Sequence, residues 1–306
     1  MKNIQKIYQT PLLELVSKAH YVHLQNFQIN EIQASSLINI KSGGCKEDCS
    51  YCSQSVKNNS KVKIHKLMEI PEIYSLAKEA KLNGASRICL GAAWREVRNN
   101  SDFESILDMI RMIKSFDLQV CCTLGFISKD QALRLAEAGL DYYNHNIETS
   151  SENYPNIVST HSFEDRLNTL ETARNAGINL CSGGIIGMGE SIKDRLSMIH
   201  TLANMNPPPN SIPINALIPI EGTKLENNNT VSVWELIRTI ATIRIIIPKS
   251  HIRLSAGREK ISIEGQALCF LSGANSIFIG DKLLTSSNQS IQMDHDMLKI
   301  LGLNLN

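Results

Sequence analysis

Neither sign of charge dominates this chain of 306 residues: 31 Lys and Arg face 30 Asp and Glu, for a formal net charge of +1. That balance removes the electrostatic case for a nucleic-acid or anionic-membrane partner, which would be drawn by an excess of clustered cations. Long apolar runs are missing as well. The richest stretch, Ile243 to Pro248, is too short to cross a bilayer. The N-terminal region has no hydrophobic signal core, and its first Arg is Arg87, so neither an export signal nor an Arg-rich transit peptide is expected. A cytoplasmic protein is expected. In a reducing compartment its eight Cys serve metal binding or catalysis rather than stable disulfides.

The apolar fraction of 42% is that of a globular chain with a buried core. Thr10-Pro11 ahead of Leu12, Leu13, Leu15 and Val16 predicts a capped helix with Pro at its first position. Short β-type runs then alternate with helical patterns. The predicted strands are Leu37–Ile40, Arg87–Leu90, Gln119–Thr123, Asp141–Asn146, Ile178–Ser182, Ser211–Asn215, His251–Ser255 and Ser276–Ile279. Between them the spacing predicts helices over Glu72–Leu82, Phe103–Phe116, Lys129–Ala138, Phe163–Ala176, Ile192–Leu202, Val233–Ile245 and Glu264–Leu271. Such alternation predicts an α/β fold, a (β/α)8 TIM-type barrel with an N-terminal helical extension. An open doubly wound sheet is the rival, but no G-x-G-x-x-G turn follows the first strand. One domain over 1–306 is expected, with the extension at 1–36, the barrel at 37–285 and a C-terminal tail at 286–306.

The sharpest motif is Gly43-Gly44-Cys45-Lys46-Glu47-Asp48-Cys49-Ser50-Tyr51-Cys52. Three thiolates at this spacing suit three corners of an iron–sulfur cube, leaving the fourth iron open to a chelating ligand. A zinc site with His65 as fourth ligand is the alternative. The Cys-x3-Cys-x2-Cys pattern, with Tyr51 before the last Cys, resembles the signature of the radical S-adenosylmethionine superfamily. The resemblance implies a [4Fe–4S] cluster on Cys45, Cys49 and Cys52 that binds S-adenosyl-L-methionine and reductively cleaves it to a 5′-deoxyadenosyl radical.

Later strands carry a second constellation. Side chains alternate across a strand, which groups Arg87 with Cys89; Gln119 with Cys121 and Thr123; Asn179 with Cys181; and Arg253 with Ser255. Each polar set opposes an apolar set that suits the outer helices. A polar lumen marks an active-site cavity, since a purely structural barrel core is filled by Val, Ile and Leu. Cys122, on the opposite face from Cys121, and Cys269, in a helical pattern, are expected to pack as small hydrophobes.

Further motifs resemble the biotin synthase family in order along nearly the whole chain: Cys89-Leu90-Gly91-Ala92-Ala93-Trp94-Arg95, Tyr143-Asn144-His145-Asn146, Cys181-Ser182-Gly183-Gly184, Arg253-Leu254-Ser255-Ala256-Gly257-Arg258 and Gly273-Ala274-Asn275-Ser276-Ile277-Phe278. The resemblance implies sulfur insertion into dethiobiotin, with a [2Fe–2S] cluster on Cys89, Cys121, Cys181 and Arg253. It also implies that Asn144 and Asn215 face dethiobiotin, and that Tyr51, Asn146, Glu148, Arg166, Gly183 and Gly184 line the S-adenosylmethionine site. Gly183-Gly184-Ile185-Ile186-Gly187-Met188-Gly189-Glu190, after the fifth predicted strand, reads as a glycine loop that permits close backbone approach. Thr285 and Ser286 match a Thr-Thr pair for the substrate carboxylate. Glu148 stands where the family often has Asp. Without the resemblance, Asn144, Asn146 and Glu148 are equally suited to capping the next helix, and Arg166 to a helix surface. A homodimer, a reducing electron-transfer protein and iron–sulfur assembly machinery are the implied partners. Two other classes compete. A related radical enzyme such as a hydrogenase-cofactor maturase is not expected to hold the full Cys89, Cys121, Cys181 and Arg253 set. A non-catalytic metal scaffold needs no polar lumen.

Overall fold

The structure, a computed structural model, describes residues 1–306. Its strands are β1 (Glu31–Lys41), β2 (Arg87–Ala92), β3 (Gln119–Thr123), β4 (Tyr142–Asn144), β5 (Asn179–Cys181), β6 (Gly184–Ile186), β7 (Ser211–Ala216), β8 (His251–Leu254), β9 (Ser276–Ile279) and β10 (Asn304–Leu305). Its helices are α1 (Lys2–Tyr8), α2 (Leu12–Leu24), α3 (Ile70–Leu82), α4 (Ser101–Lys114), α5 (Lys129–Glu137), α6 (Tyr154–Ile157), α7 (Phe163–Asn175), α8 (Ile192–Asn204), α9 (Val233–Ile246), α10 (Ile263–Leu271) and α11 (Ile291–Leu301). All strand pairs are parallel, and β1 pairs with both β2 and β9, which closes the sheet into a barrel. β5 and β6 are two halves of one stave: Cys181 pairs with Ser211, and pairing resumes at Gly184 with Ile214.

Local chemistry sets the element ends. Ser128, Ser162 and Ser191 head α5, α7 and α8 with capping boxes, which satisfy orphan N–H groups of the first turn. Gly84, Gly139, Gly177 and Gly273 follow helices with φ between 83° and 102°, a left-handed conformation that an L side chain resists.

Strand parity sorts the side chains as alternation predicts. Ile88, Leu90, Val120, Cys122, Leu180, Ile252, Leu254 and Ile277 join the main core beneath the helices, with Cys269. Cys89, Cys121, Tyr142, Cys181 and Phe278 form a separate cluster.

Three local expectations change. β1 begins at Glu31 rather than Leu37, because its polar positions Gln33 and Ser35 face inward and hide the strand from a search for apolar runs. Pro11 stands one place before the first residue of α2 rather than within it. The run from Gly183, expected as a glycine loop, contains β6. Its glycines answer to crowding by protein: a Cβ on Gly183 would lie 2.0 Å from Pro213 O, and one on Gly184 would lie 2.4 Å from Glu148 O. From residue 286 onward the chain forms α11 and then β10, which pairs with the start of β1.

Candidate active site

A cavity of about 350 Å³ opens at the C-terminal mouth of the barrel, where barrel enzymes place their chemistry. Cys45, Cys49 and Cys52 line it from the loop after β1. That loop is fastened by backbone bonds from Cys45 N to Gln54 O (3.0 Å) and Val56 N to Cys45 O (2.8 Å). Asn58 Nδ2 donates to Cys49 O at 3.0 Å and Cys52 O at 2.8 Å. Glu47, buried between the first two thiols, pairs with Arg95 at 2.9 Å and His161 at 2.7 Å. Burial pushes the Cys45 and Cys49 thiols up and Cys52 up to about 11. Such thiols ionise when a metal centre supplies the compensating positive charge. His65 is exposed and lies outside the lining, so the zinc alternative loses its fourth ligand. No three His, Cys, Asp or Glu side chains close on a single ion; a multi-iron group takes its thiolates farther apart.

On the facing wall Tyr51 donates its hydroxyl to Glu148 Oε1 at 2.8 Å, and Arg166 Nη1 lies 3.7 Å from the same oxygen. Glu148 Oε2 is buried without a partner, its backbone sits at φ 66°, and burial raises its carboxyl pKa. Arg166 is buried rather than on a helix surface; Nη1 donates to Asn146 O at 2.9 Å and Nε to the Tyr154 hydroxyl. Neither Asn144, Asn146 nor Glu148 caps a helix, since Asn153 and Ser162 hold those places. Asn146 Oδ1 accepts from Gly183 N at 3.1 Å. Gly183 and Gly184 themselves lie behind the lining.

Asn144, Asn215, Thr285 and Ser286 also line the cavity. Asn144 Nδ2 donates to Thr123 Oγ1 at 3.0 Å, and its Oδ1 is buried and unpartnered. Asn215 Nδ2 donates to Gly184 O at 3.1 Å and its Oδ1 accepts from Ala256 N at 3.2 Å. The Thr285 and Ser53 hydroxyls are 2.8 Å apart.

Beneath these residues, Cys89 is the register partner of Cys121, and both pack with Cys181 in one buried cluster. The neighbouring Cys121 thiol lowers the pKa of Cys89 and Cys181, and Arg253 and Arg87 lower it further. Cys121 itself is pushed up by Cys181 and Cys89 and by burial. Arg253 Nε donates to Ser276 Oγ at 3.0 Å, and Nη2 to Ser35 Oγ at 2.9 Å and Gln33 Oε1 at 3.3 Å. Its guanidinium lies 4.4 Å from the Phe278 ring centre. Arg87 and Arg253 are each 1% exposed, and their side-chain partners are neutral amides and hydroxyls. Two buried cations without carboxylate partners favour the ionised form of the thiols beside them.

Sequence reasoning missed Gln33, Ser35 and Ser276, which orient Arg253, and His161 and Tyr154, which link Glu47 to Arg166 through bonds of 2.7 Å on either side of His161. Ser and Gln in a strand carry no local signal of what they hold across the lumen.

The profile of the Radical SAM superfamily matches residues 39–202, and that of the Biotin and Thiamin Synthesis associated domain matches 213–304. A biotin synthase of Cytophaga hutchinsonii is 51% identical over 302 residues, covering 99% of this chain and 90% of that one. A biotin synthase of Prochlorococcus marinus is 50% identical over 306 residues, covering 100% and 92%. Among solved structures, methylornithine synthase superposes with a TM-score of 0.84 at 22% identity, over 100% of this chain and 93% of that one. The [FeFe]-hydrogenase maturase HydG reaches 0.82 at 18% identity, over 98% and 70%. These two likenesses carry the fold alone. Half of all positions shared across nearly the full length is a stronger statement: the chain belongs to the biotin synthase family of radical S-adenosylmethionine enzymes.

Proposed function

We propose that this chain is a sulfurtransferase that converts dethiobiotin to biotin, the last step of biotin synthesis. Cys45, Cys49 and Cys52 would hold a [4Fe–4S] cluster, and Cys89, Cys121, Cys181 and Arg253 a [2Fe–2S] cluster. When bound, the first supplies the electron for S-adenosyl-L-methionine cleavage and the second supplies the sulfur. The observation that carries this reading is the clustering of three lumen thiols beside two buried guanidiniums that lack carboxylate partners. A related radical enzyme without sulfur insertion is not expected to hold the complete set of Cys89, Cys121, Cys181 and Arg253.

The remaining side chains bind and orient. Glu148, held by Tyr51 and facing Arg166, has one free carboxylate oxygen suited to ribose hydroxyls. Arg166 adds positive charge near the methionyl carboxylate, and Asn146 keeps its amide between Gly183 and the cavity. Asn144 Oδ1 is free to accept from a ureido N–H, while Asn215 retains one amide hydrogen. Thr285 and Ser286 offer hydroxyls to the substrate carboxylate. Trp94, Phe126, Leu283 and Leu284 make much of the wall apolar, which keeps water from a reactive radical. A single cytoplasmic domain acting as a homodimer, served by a reducing electron-transfer protein and iron–sulfur assembly machinery, completes the reading.

The test compares two variants after anaerobic reconstitution, reading iron and sulfide content, cofactor cleavage and product. Cys49→Ala is expected to lose the first cluster and all cleavage. Cys121→Ala is expected to keep the first cluster and some cleavage but to form no biotin. Parental biotin formation by Cys121→Ala would sink the sulfur-donor assignment.

A further inference from the structure

At the end of the barrel opposite the candidate active site, a second cavity of about 310 Å³ opens among the strand starts. Arg87, Gln119, Tyr142 and His251 wall it, and Gln28 lies at its rim. This end of a parallel barrel ordinarily serves stability, and a structural seal would be apolar. Here Phe27 and Tyr142 are the only hydrophobic members of the lining.

The partition between this chamber and the lumen thiols is one side chain thick. Tyr142 lines the chamber and also packs with Cys89, Cys121 and Cys181. The Arg87 guanidinium lies 3.6 Å from the Tyr142 ring centre and acts electrostatically on Cys89 and Cys181. Gln119 braces it, its Oε1 accepting from Nε at 3.0 Å and Nη2 at 2.8 Å. Arg87 Nη1 and His251 Nδ1 are buried without protein partners at this wall, an arrangement suited to water in a polar chamber. From the active-site side, Cys89 alone of the three thiols lines the cavity. Cofactor and substrate in the mouth would therefore close that approach to Cys121 and Cys181.

We propose that the lower chamber is a back entrance. The partition of Arg87, Gln119 and Tyr142 moves aside to pass small inorganic species (water, hydrosulfide, ferrous ion) to the three thiols while the mouth is filled. The inference rests on the reading of those thiols as cluster ligands, and its experiment separates the two.

The full chain, freed of clusters and kept anaerobic, is treated with methyl methanethiosulfonate, and labelling of each Cys is timed by mass spectrometry. Gln119→Ala removes the brace from an exposed position. It is expected to speed labelling of Cys121 and Cys181, the two lumen thiols that do not line the mouth, about tenfold, the population change that loss of hydrogen bonds to a charged group gives. Cys45, Cys49 and Cys52 should label at the parental rate. Gln28→Trp fills the rim and should slow Cys121 and Cys181 alone, Cys89 remaining open to the empty mouth. No response of the lumen thiols to Gln119→Ala, or an equal response of Cys49 and Cys52, overturns the entrance. Reconstitution of the same proteins is followed by visible absorbance. Two clusters with unresponsive lumen thiols keep the proposed function and reject the entrance. Responsive thiols with one cluster keep the entrance and reject the second-cluster assignment.

Discussion

His23 is 2% exposed, stacks on Phe27 with ring centres 5.5 Å apart, and leaves Nδ1 without a partner. Burial, reinforced by Arg244, His20 and His251, brings its pKa from 6.5 down to about 4. The folded chain therefore binds this proton less readily than the unfolded chain. Stability from the neutral ring is complete above pH 6.5 and is lost as pH falls toward 4. His23→Phe keeps the stack and removes the titration. Its melting temperature should fall less than the parent's between those two pH values; parallel curves would refute the assignment. The same scale shows why motif reading located the lumen thiols: parity along β2, β3 and β5 is a property of each residue's place in its strand, and it needs no knowledge of neighbours.

Elements add constraints that no residue carries alone. β6 is short and begins with a glycine whose Cβ would meet Met198 Sδ at 2.3 Å and Glu148 O at 2.4 Å. Gly184→Ala must push β6 away from the bridge that joins Gly184 to Glu148. Overpacking of this kind costs about 1–3 kcal/mol. Urea unfolding should register that loss, and S-adenosylmethionine binding should weaken with it because Glu148 moves. An unchanged affinity in a destabilised variant would detach Glu148 from the cofactor. The sequence marked these glycines as a loop for close ligand approach. What it could not show was the neighbour: Pro213 interrupts the donor row of β7, so the stave breaks between β5 and β6 and the glycines meet backbone instead.

Across the whole molecule, the C-terminal strand returns to the first stave of the barrel. β10 pairs with the start of β1 through Glu31 with Asn304 and Ile32 with Leu305. α11 is pinned by Asp294, whose carboxylate takes two bonds of 2.6 Å from Arg258, both side chains being 1% exposed. Asp294→Ala leaves the Arg258 charge buried and alone, a loss of about 3–5 kcal/mol. Denaturant unfolding measures it, and the double variant Arg258→Met/Asp294→Leu should recover most of the loss. A single variant as stable as the parent would remove this pair from the closure.

The sequence by itself determined the alternation of strands and helices, the barrel class, the thiol loop and the inward set of Cys and Arg, because each is written in spacing along the chain. Only the tertiary structure decided which neutral groups hold Arg253, that Arg166 is buried against Tyr154, and that a polar chamber lies behind the lumen thiols. Those facts come from residues far apart in sequence meeting across a closed barrel. Which side chains meet depends on how the staves are paired and staggered, which local pattern does not encode.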